Sequence, residues 1–320
     1  MACRRPKKAR LMLAALCAAL CLAGCAGKPL AEREIVRAVF FAHEGGRYQA
    51  VLLLQDQQSE EAAAYRTSAG EGDTAAQALS DAAGGLDGTV FYGAMDTVGL
   101  PPGSGWEELR QFAELVGDTA RPAPDVSLFL LDQRSAARLE ETAGELYDDL
   151  RQCEKRYAVH CGLEMPAAQP DAAALPCWQG GGYGFAILCR DAEPLRYTEA
   201  LRAQLAAILC GQAGRLDLQL DGDAVSCQAA VTVRCRPSPD CLRVQLVLAD
   251  ARLAPLTPDA PQQEDALRAL LRQELETAFA RLCTDAGAAG ADPFRFSFWA
   301  QNLLGPDAAP LPAVLQVIFA

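Results

Sequence analysis

Few residues in this chain have the types and spacing to do chemistry, and the most pointed of them is a cysteine. Leu22-Ala23-Gly24-Cys25 closes a leader in which Arg4, Arg5, Lys7, Lys8 and Arg10 precede the uncharged apolar run 11–23. A basic start, an apolar middle and small residues at the cut are the parts of a secretory signal. A thiol just past small side chains is open to diacylglyceryl transfer, with cleavage in front of it. The pattern is a lipobox. It predicts a signal peptide over 1–24, lipidation (palmitate among the acyl chains) at Cys25, and a chain tethered to the extracytoplasmic face of the cell membrane. The apolar run of 13 residues is shorter than the roughly 20 a membrane-spanning helix needs.

Other chemistry-bearing residues do not assemble. His160 adjoins Cys161, but neighbours on a helix or strand point apart, so no dyad is expected. The other histidine, His43, reads as a polar residue at a strand end. Gly180-Gly181-Gly182-Tyr183-Gly184 has a phosphate-friendly composition. No Lys-Ser/Thr follows it, and it enters a strand where a phosphate loop would leave one for a helix; it reads as a hinge. Zinc-ligand spacing and Cys-x-x-Cys are absent from the sequence. The pairs Glu60-Glu61 and Asp148-Asp149 read as solvated faces. Phe294, Phe296, Phe298 and Trp299 read as packing against the helix before them. The expectation is a chain with no catalytic residues, no cofactor and no metal, and not an enzyme.

Of 13 cysteines, Cys3, Cys17 and Cys21 leave with the leader and Cys25 is acylated, so nine remain. Cys235 and Cys241 flank the turn Arg236-Pro237-Ser238-Pro239-Asp240 and are the most bridge-like pair. Against that pairing, several of the others lie in apolar runs, where a thiol serves as a small hydrophobe.

The formal charge is −12, and because the leader holds five cations and no acid, the mature chain stands at −17. Phosphate neutralisation needs excess Lys and Arg, so nucleic acid is excluded as a partner. Anionic lipid is likewise a poor match for the folded surface. The 51% hydrophobic content is ample core material for two ordinary domains.

The elements that position these residues follow from periodicity. After a tether at 26–31, Glu34–His43 and Tyr48–Gln55 read as strands around Glu44-Gly45-Gly46-Arg47. Residues 56–69 read as a polar loop. Asp73 is placed to cap a helix bearing Ala75, Ala78, Leu79 and Ala82, which Gly84-Gly85 ends. Residues 89–98 read as a strand, 106–116 as a helix, 126–131 as a buried strand, and 135–157 as helical. The Ala/Pro-rich segment 164–176 reads as a linker. Beyond it lie a strand at 185–189, a helix ending near Cys210, and strands at 215–220, 224–236 and 242–254. A long helix at 264–284, a shorter one at 292–304 and a closing strand at 313–319 complete the chain. This is an α+β fold of mixed sheets and packed helices in two or three modules: an N-terminal α/β domain over 25–165 and a C-terminal α+β domain over 177–320.

The order of features resembles the Ger(x)C family, the lipoprotein C subunits of spore germinant receptors. The lipobox and early strand pair fit. So does Gly70-Glu71-Gly72-Asp73-Thr74, a Gly-polar-Gly-polar-Thr turn into an Ala/Leu helix. Val90-Phe91-Tyr92-Gly93-Ala94-Met95, Ser127-Leu128-Phe129-Leu130-Leu131-Asp132 and Gly184-Phe185-Ala186-Ile187-Leu188 follow in order, as does Ala291-Asp292-Pro293-Phe294 after the last long helix. The resemblance implies a non-enzymatic subunit acting in spore germination beside two integral membrane germinant receptor subunits. In a sporulating host it implies location at the spore inner membrane. The alternative from another class is a free-standing extracytoplasmic solute-binding or cell-envelope lipoprotein.

Acylation of Cys25 has a direct readout. Metabolic labelling with a fatty acid should mark the wild-type protein and not Cys25→Ala, and equal labelling of both would overturn the assignment.

Overall fold

The computed structural model describes residues 33–56, 64–164, 172–178, 183–190, 192–220, 224–238, 240–306 and 311–320. The leader, Cys25 and the tether lie outside the described residues. β1 (Arg33–Glu44) and β2 (Arg47–Gln55) form the expected hairpin, turned by Gly45 and Gly46 at φ of 60° and 79°. Glycine, having no Cβ, adopts such backbone angles freely.

The polar stretch expected as a loop departs from expectation at its end. Tyr65–Gly72 is a strand, β3, paired antiparallel to β2 through its whole length. Its inward positions are glycines, so the usual alternation of apolar residues is missing. The glycines are required by what lies on them. Helix α1 (Ala75–Gly84) crosses β3 so closely that a Cβ on Gly70 would sit 2.6 Å from the Ala78 carbonyl oxygen. One on Gly72 would sit 2.5 Å from Gln77 Cβ. The cap is Thr74, one residue past Asp73. Its Oγ1 accepts from Gln77 N at 3.2 Å, and Gln77 Oε1 accepts from Asp73 N at 3.0 Å.

The single strand expected at 89–98 is divided into β4 (Thr89–Phe91) and β5 (Thr97–Leu100), both parallel to β1. The chain leaves β1 after Ile35↔Phe91 and returns at Ala38↔Thr97, beside a β1 register shift between Val36 and Ala38. Helix α2 (Trp106–Thr119) leads to β6 (Ser127–Leu130). The short α3 (Gln133–Ala136), capped by Asp132, then leads to α4 (Leu139–Tyr157). The expected linker 164–176 ends earlier, because Ala172–Trp178 is a strand, β7, which joins β8 (Tyr183–Cys189) and β9 (Leu195–Tyr197). Its alanines and proline disguise a strand whose hydrogen-bonding partner lies across the hairpin. The strand order is β3-β2-β1-β5-β6-β7-β8-β9, with β4 also on β1.

Both faces of this sheet are covered, which is the setting of near-continuous apolar strands. Val39, Phe41 and Leu128 pack with α1 and α2, while Ala38, Phe40 and Phe129 pack with α3 and α4. A second sheet, β10-β11-β12-β13, is built from Arg215–Leu220, Val225–Pro237, Leu242–Pro255 and Ala313–Phe319. Its apolar face packs with α5 (Ala200–Leu209) and α6 (Glu264–Ala288). The latter buries Leu267, Leu271, Leu275, Ala278, Phe279 and Leu282 in one stripe. Helix α7 (Phe296–Leu304) begins where Asp292 accepts from the Phe296 and Ser297 amides at 2.8 and 2.7 Å. The protein is thus α+β, with two mixed sheets.

The β3–α1 contact sets a stability test. Gly70→Ala and Gly72→Ala should each lower unfolding free energy by about 1–3 kcal/mol, the usual cost of overpacking. Gly84→Ala, with nothing within 4 Å of the added methyl, should be neutral or stabilising by up to ~1 kcal/mol. Denaturant melts of the three variants check the ranking.

Candidate functional site

The richest polar cluster lies at the amino ends of β5 and β6. Asp96 precedes β5, and Ser127 opens β6. Tyr147, Arg151 and Glu154 sit at i, i+4 and i+7 on α4, so one helix face presents all three to the sheet. Arg37 projects from β1. Arg37 Nη2 lies 2.8 Å from Asp96 Oδ2 and 3.0 Å from the Tyr147 hydroxyl, which donates to Asp96 Oδ2 at 3.1 Å. Thr97 Oγ1 donates to Asp96 Oδ1 at 3.1 Å. Arg151 pairs with Glu154 and approaches Asp96 at 3.9 Å. Burial pushes the Tyr147 phenol up, in opposition to the Arg37 hydrogen bond. The edge-on neighbour Tyr65 is pushed up to about 12 by burial and then by Asp148.

Ser127, Glu154 and His160 meet at one corner of this cluster. Ser127 Oγ lies 2.5 Å from Glu154 Oε1 and 2.8 Å from His160 Nδ1, and that same Nδ1 is 3.4 Å from Glu154 Oε1. A nucleophile relay needs the imidazole to bridge hydroxyl and carboxylate through its two different nitrogens. Here one nitrogen faces both. Ser127 is fully buried, and its hydroxyl is committed to a carboxylate that also holds Arg151. The arrangement ties α4 and the residues after it to the sheet.

The remaining sequence candidates disperse. Cys161 is fully buried in the α2-side core, while His160 turns toward Ser127. Burial, with Glu164 and Cys210 adding to it, pushes the Cys161 thiol well above its usual range, so the nucleophilic thiolate is disfavoured. His43 stacks on Tyr48 across the hairpin at 4.3 Å. Asp148 accepts from the Tyr65 hydroxyl at 3.4 Å, and burial followed by Asp148 raises the Asp149 carboxyl. Glu60-Glu61, Gly180–Gly182 and Cys25 lie outside the described residues. Phe294 is buried and Phe296 packs on Phe279 at 5.9 Å, but Phe298 and Trp299 are 46% and 40% exposed. Cys235 sits opposite Val244, out of register with Cys241, and both thiols are free. No group of three His, Cys, Asp or Glu side chains suited to a metal occurs among the described residues. Nor, among them, is any helix long and apolar enough to cross a membrane.

Sequence reading did not assemble the Arg37–Asp96–Tyr147 cluster. The available signal was an isolated charge in an otherwise apolar strand, as at Arg37 within Ile35–Phe41.

No family model and no curated protein matches the sequence. Among solved structures, the chain is similar to one described as the crystal structure of the GerBC protein. The identity is 10% and the TM-score 0.44, over 88% of this chain and 96% of that one.

The buried thiols make a pH prediction. Burial pushes Cys153 and Cys227 up to about 12 and Cys283 up to about 11. Unfolded thiols ionise near ~8.5, so the stability linked to these protonated thiols is intact below that pH and is lost as pH rises from about 9 toward 12. At pH 8 a thiol reagent should react fast at Cys241, at the hairpin turn, and slowly at buried Cys153, Cys161 and Cys227. All nine should react after denaturation without reductant, whereas seven would reveal a disulfide.

Proposed function

We propose that this chain is a lipid-anchored, non-enzymatic subunit of a nutrient germinant receptor, held at the extracytoplasmic face beside two integral membrane subunits. The observation that carries the reading is the ordered set of Ger(x)C-like segments behind a lipobox, above all Gly70-Glu71-Gly72-Asp73-Thr74. That segment has an evident physical role in this fold. Its glycines admit α1 to within contact of β3, and its threonine caps the helix. A spacing enforced by backbone contact is a stronger mark of a shared scaffold than a surface motif of the same length.

The polar residues also support a holding role over a chemical one. Arg37, Asp96, Tyr147, Arg151, Glu154 and Ser127 spend their hydrogen bonds on one another and fix α4 to the sheet. Partner binding of this kind works through an interface, and rigid placement of helices on a sheet supplies one.

The test is genetic. Deleting the gene in a sporulating host should impair nutrient-triggered germination and leave germination by non-nutrient triggers intact. The mature protein should co-purify from native membrane with two polytopic proteins. Normal germination to every nutrient in a strain lacking redundant homologues would favour the free-standing envelope lipoprotein.

A further inference from the structure

Helix α7 leaves large apolar side chains in water. Phe298, Trp299 and Leu304 are 46%, 40% and 52% exposed. Phe298 and Trp299 pack edge to face at 5.8 Å, and the Arg295 guanidinium lies 4.4 Å from the Phe298 ring centroid. Arg295, Phe298, Trp299 and Asn302 follow the i, i+3, i+4, i+7 spacing of one helix face, all exposed. Aromatic rings beside a cation, on a helix with a buried opposite side at Ala300, are the composition that settles at a membrane interface.

The position of this face in the fold indicates what covers it. A cleft joins α7 to the sheet, lined by Ser297 and Phe298 on one side and by Ala172, Cys189 and Arg190 on the other. Ala172 starts β7 and Cys189 ends β8, paired across that hairpin. Strands β1, β5, β6 and β7 run parallel, with Ala38↔Thr97, Thr97↔Ser127 and Leu130↔Cys177 in register. Counted along these registers, Ala172 stands level with Val36, three residues from Arg33. The start of β1 and the cleft beneath α7 therefore lie at the same end of the sheet. Three strand spacings and three residues separate them, roughly 17 Å. The chain from Cys25 to Arg33 is eight residues long and reaches ~28 Å at most.

We propose that α7 docks on the lipid bilayer surface, with Phe298 and Trp299 at headgroup depth and Arg295 beside them. The inference rests on Cys25 being acylated. The acyl chains keep the protein at the membrane, and α7 fixes which way the folded body faces. The contact is apolar, so the −17 charge of the mature chain does not oppose it on a zwitterionic surface.

The test uses the full mature lipoprotein, wild type and Trp299→Phe, reconstituted in phosphatidylcholine vesicles with and without brominated acyl chains. Flotation reports the anchor, and tryptophan quenching reports α7. Trp106 and Trp178 persist in both proteins, so the difference spectrum isolates Trp299. Both proteins should float, and brominated lipid should reduce the Trp299 difference signal at least twofold. Flotation without quenching overturns the docking of α7 and leaves the anchor standing. Shielding of Trp299 from aqueous acrylamide without quenching by brominated lipid overturns it in favour of a protein contact. Failure of both proteins to float overturns the anchor and the docking with it.

Discussion

The β7–β8 hairpin belongs to two cores at once, and the arrangement of the whole molecule depends on it. Leu175, Cys177, Ala186 and Leu188 face the core beneath α1 and α2. Ala172, Ala174, Phe185, Ile187 and Cys189 face the core of α5, α6 and the second sheet. Alternate side chains of a strand point to opposite faces, so a single hairpin can close both. Withdrawing it from either side would expose fully buried Phe185 and Ile187, or Leu175 and Leu188, at about 1.5–3 kcal/mol for each large side chain. The covalent connection between the halves is thus backed by a shared layer of packing.

On the other face of the first sheet, α4 packs through Leu139, Ala143, Leu146 and Leu150 and is held at its end by charge as well. Asp96 gathers Arg37, Tyr147 and Thr97 with its side chain only 13% exposed, while that of Arg37 is 31% exposed. Such a cluster specifies position more than it adds stability, because each ion gives up hydration to enter it. Removing one member leaves the others unpaired, which is where the large energies lie. The helix therefore has one register in which Tyr147, Arg151 and Glu154 all find partners. A shift of one residue would turn all three away.

The legible parts of this fold are those where one face alone is apolar or where glycine marks a turn. The β1–β2 hairpin, the α6 stripe and β13 emerge from periodicity with nearly their observed limits. β3 was illegible because its inward positions are glycines, chosen for closeness to α1 and carrying no hydropathy signal. β7 hid in an alanine- and proline-rich run, and β4–β5 read as one strand because the chain leaves β1 and rejoins it. The cluster around Asp96 was illegible for a different reason. Its members come from β1, the turn before β5, β6 and α4, and only tertiary folding makes residues 37, 96, 127 and 147 neighbours. Cys235 and Cys241 illustrate the converse: neighbours in sequence whose strand register sets them apart.

An acyl anchor by itself constrains distance and leaves orientation free. If α7 docks on the bilayer as proposed, the amino ends of β1, β5 and β7 turn toward it and the opposite end of the first sheet faces away. That end carries the Gly45-Gly46 turn and the Pro101–Gly105 loop between β5 and α2. In parallel sheets, the loops beyond the carboxyl ends of the strands are where recognition surfaces tend to form, because each is held by a rigid strand and free to vary in sequence. The acidic body suits this placement. On the proposed docking, the charge of the acidic body disfavours contact of the rest of its surface with anionic headgroups, and the apolar contacts of α7 select the orientation.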